Sequence, residues 1–220
     1  NPLGCEPINP LMARFAIPSI IAKLVSALYN MVDQFFIGHS VGMQGNAATN
    51  VAFPLTITCT AVSLLFGIGG AANFNLSMGR KKAEEAKHFI GNAIFLMLSF
   101  GICLCLVVCL FLNPLLKLFG ATADILAYSQ TYTSITAFGF PFLILSTGGS
   151  NLVRADGSPR FSMTCTLIGC LVNLILDPLF IFGFDMGMAG AAWATIIGQI
   201  ISALMVIWYL TRFKTVKLTL

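Results

Sequence analysis

Six apolar stretches, at residues 12–37, 47–78, 89–112, 123–152, 161–183 and 188–211, are each long enough to cross a bilayer, which takes about 20 residues. Hydrocarbon offers no water to backbone N–H and C=O groups, so each stretch must satisfy its own hydrogen bonds as a helix. A membrane β-barrel would instead show short alternating segments, and none occurs. Composition agrees: 57% of the residues are hydrophobic and 9% are charged, where soluble domains carry about a quarter. The expected fold class is an all-α membrane protein, a six-transmembrane-helix bundle with the lipid bilayer as its solvent. The second and fourth stretches exceed the necessary length and are expected to tilt, bend or project from the membrane.

Lysine and arginine set the orientation. If the helices alternate, Arg80-Lys81-Lys82 with Lys87, then Arg154 with Arg160, then Arg212, Lys214 and Lys217 all fall on one side. Of the loops on the other side, only the one with Lys117 is basic. Both termini are therefore expected in the cytoplasm of a multi-pass protein of the cell (inner) membrane. The net charge of +4 is small and gathered in short loops, so there is no nucleic-acid footprint. The opening NPLGCEP lacks the pattern of a cleavable signal peptide, so the first helix is expected to direct insertion. The absent initiator Met and the ending Lys217-Leu218-Thr219-Leu220 carry the expectation that the chain continues. Cys59, Cys103, Cys105, Cys109, Cys165 and Cys170 lie in apolar stretches without a C-x-x-C and read as small buried hydrophobes.

Within this apolar background two aspartates stand out. Tyr29-Asn30-Met31-Val32-Asp33-Gln34-Phe35-Phe36-Ile37-Gly38 leads to Gly42-Met43-Gln44-Gly45, and Asn173-Leu174-Ile175-Leu176-Asp177-Pro178-Leu179-Phe180-Ile181-Phe182-Gly183 leads to Gly187-Met188-Ala189-Gly190. Each copy sets an aspartate in an apolar helix, followed by aromatics, a glycine and a G-M-x-G turn. Both occupy inside-to-outside helices at similar depth, and such repeats frame binding sites in transporters. A carboxylate at that depth costs a few kcal/mol, so function is its default reading; a hydrogen bond to nearby backbone or snorkelling to the interface is the alternative. Two such carboxylates together can hold a proton or a sodium ion near neutral pH.

Asn173 lies four residues before Asp177 and shares its helix face. Thr195, in the sixth stretch, can match that depth, although its hydroxyl could equally bond back to its own helix. Pro18 removes a backbone hydrogen bond from the first helix and favours a kink, with or without a hinge role. Lys23 stands about 15 Å from Asp33 along that helix and either faces a watered cavity or snorkels. Gly67-Ile68-Gly69-Gly70 and Gly148-Gly149 read as close helix packing, since no Lys-Ser/Thr follows them. The sequence holds no nucleophile-base set, zinc spacing or nucleotide fingerprint, so no enzyme, no cofactor and no metal beyond possible Na⁺ is expected.

The stretches FAIPSIIAKLVSALYNMVDQFFIGHSVG, NLVRADGSPRFSM and LVNLILDPLFIFGFDMGMAGAAWATIIGQ resemble the multidrug and toxic compound extrusion (MATE) transporters, in their bacterial MepA-like and DinF-like branch. The resemblance covers the whole chain but about half of a family member, so residues 1–220 look like the N-terminal lobe of a two-lobed transporter. It implies Na⁺- or H⁺-coupled antiport that exports amphipathic, often cationic small-molecule drugs by alternating access. It also implies a cation or proton site at Asp33, Asn173, Asp177 and Thr195 and a helix kink at Pro18. The implied partner is a C-terminal lobe in cis or a self-associated second copy. Two other readings stay open: a lipid-linked saccharide flippase of the same superfamily, for which Lys23 is the one suitably placed cation, and a non-transporting six-helix membrane assembly unit.

Overall fold

The computed structural model describes residues 8–213. The opening NPLGCEP, the basic residues Lys214 and Lys217, and the end of the chain lie outside the described residues. The helices are α1 (Ile8–Ser40), α2 (Met43–Gly79), α3 (Ala83–Leu110), the short α4 (Leu112–Leu118), α5 (Ala123–Ala155), α6 (Pro159–Pro178) and α7 (Gly187–Leu210); a π-helical turn, Leu179–Gly183, follows α6.

Five of these helical segments are long and apolar enough to cross a membrane: Met12–Ser40, Met43–Gly79, Ala83–Leu110, Pro159–Gly183 and Gly187–Leu210. The sixth expected span, 123–152, lies within the 33-residue α5, which is as long but is interrupted by Ser129, Thr133, Ser146, Thr147 and Ser150. Its place in the fold explains the difference. It packs against α2, α3, α6 and α7 and buries Ser129, Thr133, Ala137, Phe140, Ile144 and Val153. A helix walled in by protein has less lipid-facing surface to keep apolar.

The main core lies between α2, α3, α5 and α7, around Phe74, Met97, Ile144, Leu152 and Val206. Close approach of α2 to α5 is possible because both present glycine: a Cβ on Gly67 would lie 2.6 Å from the Gly148 backbone. The expectation of close glycine packing holds at that contact. The cysteine reading needs a correction. Cys59, Cys165 and Cys170 are buried, but Cys103 and Cys109 are exposed and Cys105 is half-exposed. Cys103 and Cys109 face outward from α3 and Cys105 is partly covered, and an apolar thiol suits lipid as well as a core.

Basic residues gather at one end of the bundle. There Tyr209, near the end of α7, donates to Asp156 Oδ2 at 2.8 Å and bonds Ser158 Oγ at 2.6 Å in the α5–α6 loop. The ring of Phe213 meets that of Phe74 near the end of α2 at 5.3 Å. Arg80, Lys81 and Lys82 follow α2, and Arg212 follows α7, at this same end.

Candidate cation site and its polar cavity

The two G-M-x-G sequences turn the chain in related ways. Gly42 has φ 81° just before α2 and Gly187 has φ 50° at the start of α7, a left-handed backbone that glycine adopts without strain. Phe36 and His39 of α1 meet Phe182 at 6.1 and 6.2 Å between ring centroids. The α1 end and the π-helical turn thus lie side by side, over a small outer cluster of Ile37, Ala48, Ile181, Met188 and Ala191.

Pro178 gives a local reason for the π-helical turn. It has no N–H to return to the carbonyl of Leu174, so the regular ladder is interrupted directly after Asp177. The next bonds span five residues, with Phe184 N donating to Leu179 O at 3.0 Å. Such turns inside helices recur at functional sites.

Beneath the outer cluster lie the two aspartates. Asp177 is 0% exposed, Asn173 2% and Asp33 6%, which excludes snorkelling to an interface. The carboxyl groups of Asp33 and Asp177 are within hydrogen-bonding reach of each other, across α1 and α6. Asn173 joins this pair to α7. In the amide orientation that suits both its ends, it donates to Asp177 Oδ2 at 3.0 Å and accepts from the Thr195 backbone N–H at 3.1 Å. Asp33 Oδ1 is buried and accepts no hydrogen bond. An unshared carboxylate oxygen beside a second carboxylate and an amide is a hard donor set that suits Na⁺ or a shared proton. All four predicted site residues therefore converge, from three helices. Pro18, the predicted kink, is buried lower in α1, which continues as helix on both sides of it.

Thr195 does not bond back to its own helix in the manner of Thr58, Thr60, Thr131 and Thr136. Its hydroxyl instead meets Tyr132 of α5. Tyr132 and Tyr29 both stand beside Asp33 and Asp177, and sequence reasoning missed both. For Tyr29 a signal existed, because it sits one turn before Asp33 on the same face of α1. For Tyr132 only the hydroxyl-rich character of α5 pointed that way.

From this site a polar cavity of about 170 Å³ extends toward the basic end of the bundle. Each of four helices lines it with residues at helical spacing: Ser26 and Tyr29 on α1, Thr147 and Ser150 on α5, Thr166 and Asn173 on α6, Thr195 and Ser202 on α7. A polar cavity of this size has room for on the order of ten waters. Lys23 and Arg154 also line it. Lys23 is exposed on α1 and borders this cavity, in keeping with the first of the two placements expected for it.

A multi-pass helical bundle with a buried acid pair beside an internal polar cavity is an arrangement that membrane transport proteins use. The MatE family model matches residues 18–179. The multidrug export protein MepA of Staphylococcus aureus strain MSSA476 is 29% identical over 207 residues, covering 94% of this chain and 46% of the relative. A solved chain described only as protein A superposes with TM-score 0.91 and 33% identity, over 99% of this chain and 49% of its own length. The outward-facing conformation of a multidrug resistance MATE family transporter of the MOP superfamily superposes with TM-score 0.86 over 95% of this chain and 47% of that one. At 24% identity that last likeness shows the fold alone. The chain belongs to the MatE family, whose members are transporters and not enzymes. It spans about half the length of the curated relatives it matches.

Proposed function

We propose that this chain is the cation-binding N-terminal lobe of a multidrug efflux antiporter, which exchanges Na⁺ or H⁺ for amphipathic, often cationic compounds by alternating access. The observation that carries this reading is the convergence of Asp33, Asn173, Asp177 and Thr195 in a buried cluster with an unshared carboxylate oxygen. Two carboxylates in contact inside a bundle repel each other when both are charged, so a cation bound there is strongly favoured. Filling the site neutralises the pair and lets α1, α6 and α7 pack more closely, which shrinks the adjoining cavity. Emptying it restores charge, draws water in and reopens the space for a drug. Pro18 marks where α1 would bend in this cycle.

The relatives' greater length supports a second, C-terminal lobe, supplied in cis or by a second copy, to complete the transport path. The basic end, with Arg80, Lys81, Lys82, Arg154, Arg160 and Arg212, faces the cytoplasm by the positive-inside rule, in the inner membrane. The test is Asp177→Asn in membrane vesicles of the native protein, with Na⁺ and pH gradients imposed separately. The expected outcome is loss of gradient-driven drug efflux with membrane insertion intact, and the gradient that drives the unsubstituted protein names the coupling ion. Unchanged efflux would sink the proposal.

A further inference from the structure

Gln34 follows Asp33 in α1, and its amide lies within hydrogen-bonding reach of the Asp33 carboxyl group. Its other end is fixed from a second helix: Thr49 of α2 donates to Gln34 Oε1 at 3.0 Å. With Oε1 held there, Nε2 is the end left to face the carboxylate, and an amide N–H is what a negative charge attracts. The register of the two helices is set one turn further out. Gly38 shares a face of α1 with Gln34, and Asn46 shares a face of α2 with Thr49. A Cβ on Gly38 would stand 2.7 Å from Asn46 Nδ2, so glycine lets the Asn46 side chain lie directly on α1.

Thr49 has a second acceptor. Its hydroxyl also lies 2.9 Å from the carbonyl oxygen of Asn46, one turn back in α2. A hydroxyl carries one proton and serves only one acceptor at a time. The three side chains therefore have two self-consistent arrangements. When Asp33 is charged, Thr49 donates to Gln34 Oε1 and Gln34 Nε2 donates to the carboxylate. When Asp33 is protonated, a reversed amide accepts the carboxyl proton at Oε1 and donates through Nε2 to the Thr49 oxygen, whose own proton turns to the Asn46 carbonyl. Neither arrangement sets two donors or two acceptors face to face, which buried polar groups avoid. The other titratable groups facing Asp33 are Asp177 of α6, Tyr29 of its own helix and Tyr132 of α5; Thr49 and Asn46, from α2, carry no charge.

We infer that Gln34 is a positioning residue for the cation site: held by Thr49, it turns an N–H to the Asp33 carboxylate, and its reversal carries the protonation state of Asp33 to α2. This helix supplies nothing to the acid pair, and α1 packs far more against α6 than against α2. The Gln34–Thr49 hydrogen bond gives α2 a contact that depends on the charge of the site. The inference rests on the reading of Asp33 as part of a cation site and deepens it.

Infrared difference spectroscopy on the native protein, in phosphatidylcholine liposomes and sodium-free buffer, tests this through the protonated-carboxyl C=O band that Asp33→Asn removes. The pH midpoint of that band belongs to the acid pair as a unit. Losing an N–H that stabilises the charged form lets the pair keep its proton to higher pH. Gln34→Leu is expected to raise the midpoint by about one pH unit, a tenfold gain in proton affinity. Thr49→Val, which keeps the shape and removes the hydroxyl, should raise it by about half a unit, or roughly threefold, and Thr49→Ser should leave it at the parent value. In the Gln34→Leu protein Thr49→Val should add nothing, because Thr49 acts through Gln34. Thr49→Ala gives the same reading if valine disturbs the contact between α1 and α2. A midpoint unmoved by Gln34→Leu or by loss of the Thr49 hydroxyl, or one that Thr49→Val moves as far in the Gln34→Leu protein as in the parent, overturns the inference. The band is read without gradient or drug, so a failure of the exporter reading shows separately, in the Asp177→Asn efflux assay.

Discussion

Replacing Gly67 by alanine places one methyl group where α2 and α5 meet. That Cβ would stand 2.6 Å from both Cα and O of Gly148 and 2.9 Å from its carbonyl carbon. All three are backbone atoms, so no rotamer change relieves the overlap. To reach the 3.4 Å at which ordinary contact begins, the helices must part by about 0.8 Å, and Gly148 itself packs against Ser63 and Met97. Overpacking of this kind costs about 1–3 kcal/mol. Gly69, two residues along the same helix, is an internal control. A Cβ there meets nothing within 4 Å, so Gly69→Ala only removes the helix penalty of glycine, a gain of about 0.5–1 kcal/mol. Alanine removes the glycine penalty at both positions, so the two proteins should differ by the overpacking cost alone, about 1–3 kcal/mol, with Gly67→Ala the less stable. The assay is unfolding in detergent micelles by SDS titration, followed by circular dichroism. If Gly67→Ala unfolds at the same midpoint as Gly69→Ala, or later, the close contact between α2 and α5 is not what holds these helices together.

Two further substitutions probe the site and the basic end. Tyr132→Phe keeps the ring against the outer cluster and removes the hydroxyl that meets Thr195. It should raise the Na⁺ or H⁺ concentration needed for half-maximal efflux by about three- to tenfold, the scale of one hydrogen bond, and an unshifted ion titration would contradict it. Tyr209→Phe removes two buried hydrogen bonds, to Asp156 and Ser158. A loss of about 1–3 kcal/mol is expected in the same SDS titration, and an unchanged midpoint would show that this contact does not secure the α5–α6 loop.

Much of the candidate site was legible because charge is rare in this chain. Asp33 and Asp177 stood out against long apolar runs, and the helical spacing of four put Asn173 on the face of Asp177. Thr195 was less certain, since threonines in these helices often bond to their own carbonyls, and only its neighbour Tyr132 on α5 shows that it does not. Lys23 was visible as an anomaly, but its surroundings were not. The sequence reading set 123–152 beside the other five stretches and did not show that α5 is the helix surrounded by protein, because no local pattern reports which helix the others will cover.

The amino-acid sequence determined the medium, the helical class and the depth of the acidic residues, because hydrocarbon forbids unsatisfied backbone and heavily penalises charge. These are local constraints, acting on each helix separately. Which residues meet was decided only by tertiary packing. The glycine contact of α2 with α5, the π-helical turn after Pro178 and the approach of α1 to α6 bring carboxylates 144 positions apart in the chain within reach of one another. The same packing sets Lys23 and Arg154 on the walls of one cavity with Asn173 and Thr195. Distances across helices depend on side-chain fit between surfaces remote in sequence, and periodicity along any one helix carries no record of that fit.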